Sequence, residues 1–124
     1  MFNIKKHPII FTTILIKIYS IIMLKYAVEF IGTFVFLTAI LMSTAKGSPM
    51  GSIAPLIIGI ALVGCIGAFG SVSGGHFNPS VTAMFLAKGD IKQDDAIAYI
   101  GAQVAGGLAA WKFFTLSQSK SQTE

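Results

Sequence analysis

Apolar residues fill this chain in long blocks, separated by short stretches rich in helix breakers. Residues 26–44, YAVEFIGTFVFLTAILMST, carry one charge, Glu29, and at 1.5 Å per residue can cross roughly 30 Å of hydrocarbon. Residues 46–52, KGSPMGS, form a turn, and Ile53 to Phe69 is a second apolar span. Its Gly59, Gly64 and Gly67 offer flat surface for close helix contact. From Gly70 the pattern changes, because residues 70–76, GSVSGGH, are too flexible to continue a helix. Asn78-Pro79-Ser80 then opens a new one, with asparagine as N-cap and proline preorganised for the first helical position. That helix covers only about Val81 to Ala87 before Lys88-Gly89-Asp90, a rise of about 12 Å and so roughly half a bilayer. Asp95 can cap a third span from Ala96 to about Leu116, and residues 117–124 are a polar tail.

Residues 1–25 are apolar but interrupted by Lys17, with Lys5, Lys6 and Lys25 around the apolar runs. A charge in mid-span costs a few kcal/mol on insertion scales. The segment is a poor spanning helix, an interfacial helix held by its lysines, or a translated leader ahead of a start at Met23. The interfacial and leader alternatives fit better than a span. A secretory signal fits less well, since no small-residue cleavage pattern follows.

Composition agrees with a lipid environment. Of 124 residues 54% are hydrophobic and 11% charged, against roughly a quarter charged in soluble domains. Nine lysines against five acids give +4, with no arginine in the chain. The lysines are scattered and not interleaved with aromatics, so nucleic-acid binding has no support. Cys65 is the sole cysteine and lies in an apolar run, where packing is its role. Two histidines and no paired acid and base give no metal cluster, cofactor site or enzyme chemistry.

The resulting plan is span, turn, span, short half-helix, span. Non-helical backbone at membrane depth must line a protected cavity, so a glycine loop feeding a half-helix predicts a cavity or pore.

Residues 73–91, SGGHFNPSVTAMFLAKGDI, resemble the first signature loop of the major intrinsic proteins, the aquaporins and glycerol facilitators. AVEFIGTFVFL is similar to that family's first helix and AYIGAQVAGGLAA to its third, so the likeness covers roughly Tyr26 to Phe114. It implies an all-α membrane protein, an aquaporin-like half-repeat of three transmembrane helices and one re-entrant half-helix over residues 26–116. A full family member joins two such halves in inverted topology. This chain resembles the first half only. The second half's motif carries an arginine after the tripeptide at the narrowest point of the pore; the corresponding position here is Val81. Ser80 stands where alanine is usual.

The resemblance and the residues together nominate a pore group. Asn78, at the N-cap, can donate its side-chain N–H to a passing oxygen while the positive end of the helix dipole points the same way. Two such ends facing each other raise the barrier to cations and interrupt a proton-conducting water chain. Pro79 and Ser80 complete the motif. Gly74 and Gly75 let loop carbonyls face the cavity, and His76 is a pore-lining donor or, more in keeping with lone histidines, a packed residue bonded to backbone. Ile58 corresponds to a family position that often holds a filter aromatic, so isoleucine there predicts a wider, more apolar constriction. Glu29 is costly to bury in a span. The resemblance implies that it braces the loop by accepting backbone N–H bonds, with Gln103 beside it. Gly101, Gly106 and Gly107 serve helix crossing.

Three spans and one half-helix do not enclose a pore. Two copies in opposite orientations can, or a copy and a separate second-half chain. Lys25, Lys88 and Lys92 fall at one end and Lys46, Lys112 and Lys120 at the other, which is no bias until Lys5, Lys6 and Lys17 are added. The expectation is a passive channel for water or small neutral solutes in a plasma or inner membrane, working as a homo-oligomer or with a complementary half-channel chain. The alternative is an incomplete or accessory half-channel subunit, inactive alone. An ion channel or viroporin-like pore wants pore-lining charges, and the spans offer only Glu29 and Lys112.

Overall fold

The computed structural model describes residues 8–121. They form four α-helices: α1 (Pro8–Thr44), α2 (Ala54–Ser73), α3 (Pro79–Lys88) and α4 (Gln93–Ser121). A single 3-10 turn, Gly51–Ile53, leads into α2.

Helix α1 is unbroken over 37 residues, about 55 Å at the usual rise. It extends well ahead of Tyr26 because nothing between Ile9 and Ile31 interrupts it: no glycine or proline falls there. Residues 1–7 lie outside the described residues. The part of the leader or interfacial segment that is described, from Pro8 on, is therefore continuous with the first apolar block. Its large side chains from Ile9 to Leu24 are exposed, and Val28 is the first buried residue of the helix.

Helix α1 lies between α2 and α4 and packs against both, while α3 packs on α4. The α1–α4 contact is close because α4 presents glycines. A methyl at Gly106 would meet the Phe30 carbonyl oxygen at 2.5 Å, and one at Gly107 would meet Leu37 Cδ1 at 2.9 Å. The edge-on pair Phe34–Phe113, 5.8 Å between centroids, closes the same seam. Gly59, Gly64, Gly67 and Gly101 differ from expectation, since among the described residues no atom beyond the adjoining backbone lies within 4 Å of the side chain each lacks.

Three boundaries also differ from the sequence pattern, each for a local reason. Helix α2 runs through Gly70-Ser71-Val72-Ser73 and stops at Gly74, whose φ of 92° supplies the left-handed cap and whose N–H donates to Gly70 O at 2.9 Å. One glycine inside a helix is tolerated when packing supports it; the positive φ is what ends it. Helix α4 begins at Gln93, so Asp95 is inside its first turn and not its cap. Asp95 instead binds α1: its Oδ1 accepts from Tyr26 Oη at 2.6 Å and pairs with Lys25 Nζ at 2.8 Å. The Lys25 ammonium, then the Tyr26 hydroxyl, hold its carboxyl below the usual carboxylate range. At its far end α4 continues to Ser121, since a polar sequence without breakers does not stop a helix. Ser117 and Ser119 donate back to the Phe114 and Leu116 carbonyls.

Among the described residues two helices are long and apolar enough to cross a membrane, α1 and α2 with its leading turn. Helix α4, 29 residues long, has Gln103 and Lys112 within its apolar stretch.

Candidate functional site

The loop between α2 and α3 has five residues, Gly74 to Asn78, and their amides face a complete accounting problem because backbone N–H groups away from water need partners. Glu29 on α1 solves most of it. Its carboxylate is fully buried and accepts four hydrogen bonds. Oε1 takes His76 N–H at 2.9 Å and Ser73 Oγ at 2.6 Å; Oε2 takes Phe77 N–H at 2.7 Å and Gln103 Nε2 at 2.9 Å. Gly75 N–H donates to Ser73 Oγ at 3.1 Å, and Gly74 N–H closes the end of α2. Burying a carboxylate costs several kcal/mol unless hydrogen bonds fill its lone pairs. Here α2, α4 and the loop each supply one or more donors.

A second layer holds the donors. Thr82 on α3 is fully buried; its Oγ1 accepts from Gln103 Nε2 at 2.8 Å and lies 3.0 Å from His76 Nδ1. The His76 ring is buried, stacked 4.6 Å from Phe85 and edge-on to Tyr99 at 5.4 Å. Tyr99 Oη donates to the Ser73 carbonyl at 2.6 Å. This satisfies one of the carbonyls that the end of α2 leaves open.

Phe77 turns the chain. Its φ of 47° is left-handed, strained for a bulky residue, and its ring is 1% exposed. The ring lies over Gly32, where any Cβ would collide with it. Cys65 closes the other side of that contact, with Sγ 3.6 Å from Gly32 O. The bond to Glu29 holds the Phe77 amide in place, and Gly32, three residues on along the same face of α1, leaves room for the ring.

Past Phe77 the chain enters α3. Asn78 Oδ1 accepts from Ser80 N–H at 2.8 Å as N-cap, and Pro79 is the first helical residue. The cap uses the oxygen of the Asn78 amide; among the described residues its NH2 has no protein partner, and the residue is exposed. Pro79 and Ser80 are also exposed. Asn78 and Pro79 form one wall of an open groove of about 350 Å³ between α1 and α4, with Thr33, Leu37, Gln103 and Gly107 among the other lining residues. Helix α3 is 10 residues long, about 15 Å, so the groove lies off its amino end, beside helices that run past it.

Of the residues singled out in the sequence, the structure thus brings Glu29, Gln103, His76, Gly74 and Gly75 into one cluster, with Asn78, Pro79 and Ser80 at its open edge. Ile58 stands apart. It lies half-buried on α2 and joins neither the cluster nor the groove. Ser73, Phe77, Thr82, Tyr99 and Gly32 also belong to the cluster, though the sequence pattern assigns none of them a role of its own. The signal available for Gly32 was its place three residues after Glu29 on one helix face; Thr82 and Tyr99 carried no signal beyond being polar tips on apolar helices.

Against known proteins, a family profile described as Major intrinsic protein matches residues 61–124. Glycerol uptake facilitator protein-like 6 of Lactiplantibacillus plantarum is 44% identical over 90 residues, covering 71% of this chain and 41% of that protein. Aquaporin Z of Photorhabdus laumondii is 35% identical over 92 residues, covering 69% and 40%. Lens fiber major intrinsic protein of Gallus gallus is 34% identical over 86 residues, covering 65% and 32%. The chain thus spans about two fifths or less of the length of these relatives. No solved structure matches it.

Proposed function

The chain belongs to the major intrinsic protein family, and on that premise we propose that it forms half of a passive membrane channel for water or small neutral solutes. In this proposal α1 from about Tyr26, α2 and α4 cross the bilayer, and α3 enters it part way as a re-entrant half-helix. The observation that carries it is Asn78. A loop whose amides are held by a buried carboxylate presents, at the amino end of a short helix, an amide NH2 that no group among the described residues uses. A donor at the positive end of a helix dipole orients a passing water or hydroxyl oxygen and opposes cations. Gly74, Gly75 and His76 add loop carbonyls to the path, and Pro79 and Ser80 keep the helix start small. With isoleucine at position 58 and no arginine in the chain, the constriction of the paired assembly is wider and more apolar than one lined by an aromatic and an arginine; within one chain Ile58 stands apart from the groove.

The pore needs two half-repeats. The open groove beside Asn78 and Pro79 supports pairing, because it leaves the amino end of α3 uncovered. An inverted second copy is the partner proposed here. Lys25 and Lys92 lie by the Asp95 end of the bundle with Lys88, while Lys46 lies by Gln118 at the other end. With Lys112 and Lys120 assigned to the latter from the sequence, three lysines fall at either end and allow insertion both ways when Lys5, Lys6 and Lys17 do not add to the Lys25 end. The assembly sits in a plasma or inner membrane, in contact with lipid along the exposed apolar faces. The second reading, an accessory or incomplete half-channel, is favoured by one observation: relatives run to more than twice the matched length.

Stopped-flow light scattering on proteoliposomes holding this chain alone, under water and glycerol gradients, separates the two. Fast shrinkage that Asn78→Asp abolishes is expected, since aspartate keeps the cap but replaces the free donor with a negative oxygen. Shrinkage no faster than empty vesicles, with insertion confirmed, would leave the accessory subunit.

A further inference from the structure

Hydroxyls, amides and imidazoles buried in one network do not place their protons independently, because every donor must meet an acceptor. Around the loop the order starts at Glu29. Its oxygens receive the backbone N–H groups of His76 and Phe77, which can only donate, together with Ser73 Oγ and the Gln103 side chain. Such a carboxylate takes the NH2 end of Gln103, since the amide oxygen would set acceptor against acceptor. The same NH2 gives its other hydrogen to Thr82 Oγ1 at 2.8 Å. Thr82 therefore accepts on that side, and its own hydrogen leaves in another direction. The Asn78 carbonyl, four residues earlier on its helix, takes the Thr82 N–H and not the hydroxyl. Two acceptors remain within reach, His76 Nδ1 at 3.0 Å and Gln103 Oε1 at 3.3 Å. The second belongs to the amide already donating to Thr82, and one hydroxyl exchanging both bonds with one amide bends each of them. The hydrogen goes to Nδ1.

A neutral imidazole whose Nδ1 accepts carries its proton on Nε2. We infer that Thr82 is a positioning residue for His76: it holds the ring neutral in the Nε2–H tautomer, so that His76 presents a fixed N–H donor to a permeant water or hydroxyl oxygen. A second proton on the ring would make Nδ1 a donor and force the Thr82 hydrogen onto Gln103 Oε1. Turning the ring over would set Cδ2 against Thr82, and the ring is held in place, stacked 4.6 Å from Phe85 and edge-on to Tyr99 at 5.4 Å. Nε2 lies toward exposed Gly74, where a Cβ would stand 3.5 Å from Nε2 and Cδ2. Among the described residues Nε2 has no partner, yet the enclosed atoms without one are Thr33 Oγ1 and Thr38 Oγ1, so Nε2 keeps an opening beside the loop. The tautomer follows from this geometry alone; donation to a permeant rests on the channel proposed above.

The test uses the full chain in lipid vesicles with His7→Gln, which leaves His76 as the one histidine, and with isotope-labelled histidine. Solid-state NMR distinguishes a protonated from a bare ring nitrogen and identifies each by its bonded carbon, Cγ for Nδ1 and Cδ2 for Nε2. The expected spectrum has the proton on Nε2, a bare Nδ1 shifted by the hydrogen bond it accepts, and magnetisation transfer between the Nε2 hydrogen and water. Thr82→Val, which keeps the shape and deletes the hydroxyl, should move Nδ1 to its unbonded position, and Thr82→Ser should bring it back. A proton on Nδ1 at neutral pH overturns the assignment without any substitution at Thr82; so does an Nδ1 signal that ignores Thr82→Val. In stopped-flow scattering, His76→Phe, which keeps a ring in the stack and deletes the donor, should slow shrinkage about twofold to tenfold, the worth of one hydrogen bond. An unchanged rate, or an Nε2 hydrogen without contact to water, overturns donation to the permeant and leaves the tautomer. Vesicles of the wild-type chain that shrink no faster than empty ones overturn that use together with the channel, while the NMR result decides the tautomer separately.

Discussion

Glu29 is the residue on which the loop geometry turns. Four donors from three parts of the chain end on its two oxygens, so replacing one oxygen by an NH2 sets donor against donor in a buried place. Glu29→Gln should cost about 1–3 kcal/mol and lower the melting temperature in detergent; an unchanged melt would mean the loop holds itself. Gly32→Ala acts on the same loop from below. Its methyl would strike the Phe77 ring, and overpacking of this kind costs about 1–3 kcal/mol. The same melt checks it, and a neutral result would show that Phe77 moves freely. These two residues also mark what a sequence makes legible at this scale. A carboxylate in an apolar block stands out, because its cost demands partners, and Gln103 stands out in the same way. Phe77 does not: an apolar residue in an apolar chain carries no mark, and its left-handed backbone follows only from where Glu29 pins its amide.

At the scale of elements, α3 shows the most direct path from residue type to structure. Asn78, Pro79 and Gly89 occupy N-cap, first position and C-cap, as their chemistry prefers. Asn78→Ala should therefore cost about 1 kcal/mol through loss of the bond to Ser80 N–H, whereas Asn78→Asp should melt like the wild type. Thermal melts of the pair separate the cap from the donor role, because only the donor role makes Asn78→Asp inactive while folded. The long helices were less legible at their ends. Gly70 is a breaker by composition, yet it lies inside α2, and the stop falls at Gly74, whose N–H finds Gly70 O. Asp95 looks like a cap by type but is drawn into a bond with Tyr26 and a pair with Lys25, partners that sit 69 or more positions away in the chain. Local preference loses wherever a stronger partner arrives from another element.

For the whole molecule, the balance of lysines makes orientation the decisive property. If the pore is an inverted pair, accessibility labelling of tags at both termini in sealed membranes should find each terminus on both sides. One fixed orientation would sink the inverted pair and direct attention to a separate second-half chain. The extended start of α1 bears on the outcome. Its described residues add one lysine, Lys17, to the Lys25 end, so a variant Lys17→Gln should shift the ratio of the two orientations toward equality.

The sequence by itself determined the helical, membrane-suited character of the chain, the short helix opening at Asn78, and the family. Each of these rests on features local in the chain: apolar block length, cap chemistry and one contiguous motif. The tertiary structure alone decided that α1 runs unbroken from Pro8 and that Ser73, Thr82 and Tyr99 join Glu29 and Gln103 around the loop. Those outcomes depend on which elements meet and how closely. Hydrogen bonds between residues 21 to 74 positions apart, and a seam set by Gly106 and Gly107, exist only once the helices have packed.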